Sequence, residues 1–135
     1  MKTTCPIQIR MADLDPFNHV NNGSQCHFYD YGRTLFYEQC FGEQIDWLTF
    51  EYVLAHLQLD FKRPILIHDA IVCETSLEEL GYTSMKLIQR LIDTNTNEVK
   101  GICRSVVVRI DRNTYKPIAI PEEHRKLLLD ENPNK

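Results

Sequence analysis

One segment of this chain is written for a long helix, and almost everything after it is written for strands. From Asn22 to about Phe41, apolar residues recur at helical spacing. Phe28, Tyr31 and Leu35 form an i, i+3, i+7 stripe, while Tyr29, Phe36 and Cys40 carry the apolar surface round the cylinder. A helix apolar over so much of its circumference has to be enclosed by other elements. Beyond it the period changes. Val53, Ala55, Leu57, Leu59 and Phe61 alternate with Leu54, His56, Gln58 and Asp60, and 67–77, 83–92 and 99–110 are further strand candidates. One helix followed by about four antiparallel strands implies an α+β layout in which a single sheet wraps a single central helix.

Local signals fill in the ends of these elements. Ile7 and Ile9 alternate with Gln8 and Arg10, which predicts a short first strand before the helix. Asn22 is the expected N-cap, with Gln25 completing a variant capping box. Gly32 inside the helix costs about 1 kcal/mol relative to Ala, so a close neighbour is expected there. The polar run 93–97 predicts a hairpin turn. Pro121 opens a short C-terminal helix whose Glu122 and Glu123 sit at its positive end.

The chain of 135 residues is expected to form one domain, 1–135, large enough to bury roughly 68% of its unfolded surface. A net charge of −4 argues against a nucleic-acid partner, which calls for a basic footprint. The balance is uneven: residues 1–61 carry 3 basic and 8 acidic side chains, residues 62–135 carry 12 and 11. Most cations therefore sit in the second half, where an anionic ligand would find them. The five cysteines are odd in number and match no zinc spacing, so reduced thiols and no metal site are expected. The first residues lack the apolar core of a secretory signal, and no apolar run approaches the ~20 residues of a membrane helix. A cytoplasmic protein without a membrane partner is the expectation.

The chemistry concentrates in 15–22, Asp-Pro-Phe-Asn-His-Val-Asn-Asn, between the first strand and the helix. The first turn of a helix offers unpaired N–H groups and partial positive charge, suited to an oxyanion on an attacked carbonyl. A carboxylate in the preceding loop would activate water or attack directly. Asp15 and His19 are the groups available. The plainer roles are that Asp15 opens a turn, Asn22 caps the helix and His19 is a hydrogen-bonded structural residue.

The pattern Arg10-x-x-Asp13-x-Asp15-x-x-x-His19-Val20-Asn21-Asn22, followed by Phe28, Asp30 and Arg33, resembles the signature of the 4-hydroxybenzoyl-CoA thioesterase-like, hotdog-fold acyl-CoA thioesterases. Phe61-x-x-Pro64 with His68-Asp69, the turn Leu80-Gly81-Tyr82-Thr83-Ser84, and Arg112 to Pro121 resemble later segments of that family, in order along nearly the whole chain. The departures are Gln25 in place of a frequent aromatic residue near the acyl pocket, Asp30 in place of Glu, and His68 in place of Gly.

The resemblance implies a hotdog fold of about five strands and a homodimer with a continuous sheet, often doubled into a homotetramer. It also implies an active site at the subunit interface that needs neither metal nor cofactor. Carried over by position, Asp15 matches the catalytic carboxylate, as general base or nucleophile. The N–H of Asn22 or a close neighbour matches the donor to the thioester carbonyl, and His19 matches an orienting or electrostatic histidine. Acyl-CoA is the implied substrate. Arg63, Lys86, Arg90, Arg112 and Lys116 are candidates for its phosphates, and Tyr82, Thr83 and Ser84 for hydroxyl contacts. Two other readings share the fold: a hydratase or dehydratase on acyl thioesters, and a non-catalytic acyl-CoA or acyl-carrier binding module.

Overall fold

In the computed structural model, which describes residues 1–42 and 44–131, helix α1 runs Asn22–Phe41. Gly42 stops it with a φ of 100°, a conformation that favours glycine, while its N–H donates to the Glu38 carbonyl at 2.8 Å. The N-cap is Asn21, not Asn22. Asn21 has the extended backbone a cap needs, and its Oδ1 accepts the Ser24 amide at 2.7 Å. Asn22 is the first helical residue, and the Gln25 amide already bonds the Asn21 carbonyl at 3.1 Å, so the box expected between Asn22 and Gln25 does not form.

Five antiparallel strands follow the order β1-β3-β4-β5-β2: β1 Lys2–Pro6, β2 Tyr52–Phe61, β3 Ile71–Leu80, β4 Ser84–Asp93 and β5 Glu98–Arg109. This is the expected α+β hotdog arrangement, with a short helix α2, Glu122–Leu129, added at the end. β1 lies earlier than the Ile7–Ile9 alternation suggested. Those two isoleucines pack on the core, but only the Ile7 amide reaches the sheet, at the Ile71 carbonyl. Their period reported burial rather than pairing. β3 likewise starts at Ile71 rather than 67, because a turn closed by the Asp69 amide on the Leu66 carbonyl precedes it.

The helix lies across the middle of the sheet. Opposed residues Thr75, Gln89 and Cys103 form one inward row over β3, β4 and β5, and Cys73, Leu91 and Gly101 form the next. Gly32 sits over the boundary between them. A methyl placed there would lie 2.5 Å from Cys73 Sγ and 2.9 Å from Gln89 Nε2, which is the close neighbour expected of this glycine. The helix face that meets the sheet runs through Gln25, Phe28, Tyr29, Gly32, Phe36 and Cys40. Tyr31, expected on that face, points out and is 51% exposed, because burial follows Tyr29 and Phe36 instead.

A polar network runs under the helix. Buried Arg33 pairs with Asp30 and donates to Gln89 Oε1 at 2.9 Å, while Gln89 Nε2 donates to the Tyr29 carbonyl at 2.9 Å and to Thr75 Oγ1 at 3.0 Å. Every charge and amide in it is paired, which is what burial of such groups requires. At the other end of α1, Tyr37, Phe41, Phe50 and Tyr52 form an aromatic cluster, and the Tyr52 hydroxyl lies 2.7 Å from His124 Nδ1 on α2.

Candidate active site

The loop before α1 is a small hairpin closed on itself. Leu14 and Val20 form an isolated antiparallel bridge, and the Asn18 amide returns to the Asp15 carbonyl at 3.0 Å. Asn18 completes that turn at a φ of 63°, a left-handed conformation that asparagine tolerates. One tie fastens the hairpin to the body, and two more close the loop at its base. The Val20 amide donates to the Ile65 carbonyl at 2.9 Å, and the Asn21 amide to the Asp13 carbonyl at 2.8 Å. The Asp13 carboxylate is buried and accepts the Arg10 guanidinium at 2.9 Å, which holds its pKa below the usual carboxylate range.

Within this frame Asp15 Oδ1 accepts two amides, from Phe17 at 2.9 Å and His19 at 3.2 Å. Oδ2 has no protein partner among the described residues. At the helix terminus beside it, the Ser24 and Gln25 amides are spent on Asn21, whereas those of Asn22 and Gly23 have no acceptor among the described residues. Asp15, His19, Asn22, Gln25, Phe61 and Arg63 border one open cleft of about 240 Å³. A carboxylate with one oxygen held and one free, sharing a cleft with an unspent helix-terminal N–H donor, can place a nucleophile or base against a polarised carbonyl.

The expected residues divide between two places. Asp15, His19, Asn22 and Arg63 come together at the cleft; the Arg63 guanidinium is exposed and only 3.9 Å from the Glu98 carboxylate. Tyr82, Thr83, Ser84 and Lys86 do not join them within one chain. Ser84 opens β4, and the row of Gly101 beside the cleft lies seven residues along that strand, about 23 Å away at strand rise. There Tyr82 is 78% exposed and Lys86 pairs with Glu79 at 3.2 Å. Arg90 pairs with Glu74, and Arg112 clips the Leu48 and Phe50 carbonyls at 2.7 and 3.1 Å. Lys116 is exposed.

Burial pushes the thiols of Cys40 and Cys73 up to about 12 and that of Cys103 to about 11, so these cysteines are protonated bystanders at neutral pH. Among the described residues no cluster of three or more His, Cys, Asp or Glu is placed to hold a metal ion, and no helix is long and apolar enough to cross a membrane. Sequence reasoning left open which first-turn amide beside Asn22 is unspent, and it did not foresee the contact of Tyr29 with Gly101. The first follows from which asparagine caps the helix, and the second from sheet register.

The sequence profile of the thioesterase-like superfamily matches residues 9–128. The long-chain acyl-CoA thioesterase FadM of Escherichia coli is 26% identical over 125 residues, covering 90% of this chain and 93% of FadM. A Thermus thermophilus thioesterase solved with coenzyme A and zinc superposes with a TM-score of 0.83 at 24% identity, over 94% of this chain and 97% of that one. The 1,4-dihydroxy-2-naphthoyl-CoA thioesterase of Synechocystis superposes with a TM-score of 0.84 at 13% identity, over 98% of each chain. At such identities the two structures speak for the fold, and the profile match speaks for the family. A helix wrapped by this sheet, a carboxylate loop at its N-terminus and a match over nearly the full length make this chain a hotdog-fold thioesterase of the thioesterase-like superfamily.

Proposed function

We infer that the reaction is hydrolysis of an acyl-CoA thioester in the Asp15 cleft. The observation that carries this is that Asp15 and Asn22 border one cleft, with Oδ2 free and the Asn22 amide, like that of the adjoining Gly23, unspent. The thioester carbonyl accepts those N–H groups, and the helix terminus stabilises the oxyanion as the carbon becomes tetrahedral. Asp15 then acts by one of two routes. As general base it takes a proton from the water that attacks the carbonyl. As nucleophile it forms a mixed anhydride, which water opens. By either route the C–S bond breaks, CoA leaves as the thiol and the acid is released. His19 borders the cleft with no side-chain hydrogen bond among the described residues and acts as a positioning and electrostatic residue.

A homodimer completes the site. Of the two sheet edges, β2 is the longer, and Leu54, Leu57 and Phe61 on it are exposed. Antiparallel pairing of β2 with β2 of a second copy sets the Phe61 end of one chain against the Tyr52 end of the other. Because Tyr52 is level with Arg109 and Ser84 with Val108, that end carries the 82–86 turn toward the cleft. Arg63 from one chain, with Tyr82, Thr83, Ser84 and Lys86 from the other, then meets the CoA phosphates. Doubling of such dimers into a tetramer is compatible with this arrangement. No cofactor is invoked; CoA is part of the substrate.

The test is a panel of acyl-CoA esters assayed for free thiol. Thiol release that rises with enzyme supports hydrolysis. Binding without release favours a non-catalytic acyl-CoA module, and hydration of an enoyl ester without thiol release favours a hydratase. Single turnover in ¹⁸O-labelled water separates the two routes, since only the anhydride route leaves label in Asp15.

A further inference from the structure

Two buried polar atoms beside the cleft have no partner among the described residues. Gln25 is 3% exposed and Tyr29 1% exposed, yet neither Gln25 Oε1 nor the Tyr29 hydroxyl makes a hydrogen bond. They occupy one spot. A methyl placed on Gly101 would stand 2.5 Å from the Tyr29 hydroxyl and 3.2 Å from Gln25 Oε1, so only glycine on β5 leaves them room. Burial of the hydroxyl also raises its pKa well above the ordinary tyrosine value, so it stays a neutral donor. Buried polar groups are rarely left unpaired, and those that are call for an explanation such as a ligand contact.

Gln25 borders the Asp15 cleft and Tyr29 does not. Oε1 is buried and Nε2 makes no hydrogen bond among the described residues, so the amide nitrogen is the head-group atom left to meet a ligand in the cleft. Gln25 lies three residues along α1 from Asn22, about 4.5 Å of helix rise. Helical side chains lean toward the N-terminus, which brings this amide back toward the carbonyl held at Asn22 and Gly23. That spacing matches an oxygen on the second carbon beyond the thioester carbonyl.

We propose that Gln25 is a specificity-determining residue whose side-chain amide hydrogen-bonds an oxygen substituent, hydroxyl or oxo, on the acyl chain close to the thioester. The proposal rests on the thioesterase reading above and deepens it. A plain alkyl chain seated there covers an unpaired amide and the polar atoms beneath it, whereas an oxygenated chain pairs with the amide. A site built to bond a substrate oxygen discriminates strongly against the analogue that lacks it.

The experiment compares kcat/KM for octanoyl-CoA, 3-hydroxyoctanoyl-CoA and 3-oxooctanoyl-CoA in the wild type, Gln25→Met and Gln25→Leu. The oxygenated esters are expected to be preferred by about tenfold or more in the wild type, the weight of one hydrogen bond. That ratio should collapse toward one in both variants. Thermal midpoints no lower than the wild type's would show both variants folded, since each removes an unpaired buried amide. Equal kcat/KM for the three esters overturns the proposal while leaving thioester hydrolysis intact. So does a Gln25 variant that lowers all three values alike, because that would make Gln25 part of the oxyanion site. If no ester is hydrolysed, the thioesterase reading fails instead. Calorimetry with the same esters then decides the Gln25 contact: tighter binding of 3-hydroxyoctanoyl-CoA that Gln25→Met abolishes supports it, and equal binding rejects it.

Discussion

Asp15 and His19 close a ring on each other: the Asp15 amide donates to the His19 carbonyl at 2.8 Å, and the His19 amide donates back to Asp15 Oδ1 at 3.2 Å. The carboxylate is thereby aimed by backbone alone, and its second oxygen is left for substrate or water. Asp15→Asn keeps the oxygen that accepts these amides and removes the base. Activity is expected to fall by about 10²- to 10⁴-fold with the thermal midpoint nearly unchanged. Thiol-release kinetics beside a melting curve check this; wild-type activity in the variant would remove Asp15 from the mechanism.

Arg63 borders the cleft beside Lys62 and is exposed and loosely paired with Glu98. For Arg63→Ala we expect KM for a CoA ester to rise several-fold with kcat little changed, and the wild-type KM to rise with salt while the variant's rises less. The matching pantetheine thioester, which lacks the nucleotide phosphates, serves as control and should not distinguish the two proteins.

The free edge of β2 is expected to hold the dimer. Leu54→Lys with Leu57→Lys places two charges on that edge, on one face because the bulge after Leu54 brings both residues into register with Val107 and Ser105, and should shift sedimentation from dimer to the 15.9 kDa monomer, with loss of thiol release. A double variant that stays dimeric and active would place the interface elsewhere.

Gly32→Ala drives a methyl against Cys73 Sγ and Gln89 Nε2. Overpacking of this kind costs about 1–3 kcal/mol, read as a lowered denaturation midpoint. Cys73→Ala in the same background makes room and should recover part of the loss. Additive effects of the two substitutions would mean that the helix has moved instead.

Burial and the neighbouring Arg109 charge hold the His124 imidazole below its ordinary pKa. The unfolded chain therefore binds that proton more readily, and the stabilisation is lost as pH falls from about 6.5 through the lowered folded value. Thermal midpoints between pH 7.5 and 5 are expected to drop, and His124→Phe should flatten the drop. A variant whose profile parallels the wild type would assign the dependence to other groups.

Much of this molecule was legible from its residues. The long helix, the four strands after it, the hairpin at 93–97 and the tight packing at Gly32 follow from period, turn chemistry and steric need, which are local. The Asp15 loop stood out because an acid before a helix N-terminus is a local arrangement too. What was misread also has a local cause. Asn21 and Asn22 are chemically identical, and only the backbone path through the Asn21–Asp13 bond decides which one caps the helix. Ile7 and Ile9 alternate like a strand because both are half-buried against the core, although β1 has already ended at Pro6.

The residues by themselves determined which groups are present and the periodicity with which they meet a core. Tertiary structure alone decided which distant groups meet. Register sets Gly101 opposite Phe61 and beneath Tyr29, pairs Thr75 with Gln89 under Arg33, and sends the 82–86 turn to the far end of the sheet from Asp15. Such meetings depend on strand order and on a register that slips by whole residues, and a one-residue slip would turn every one of these side chains to the other face.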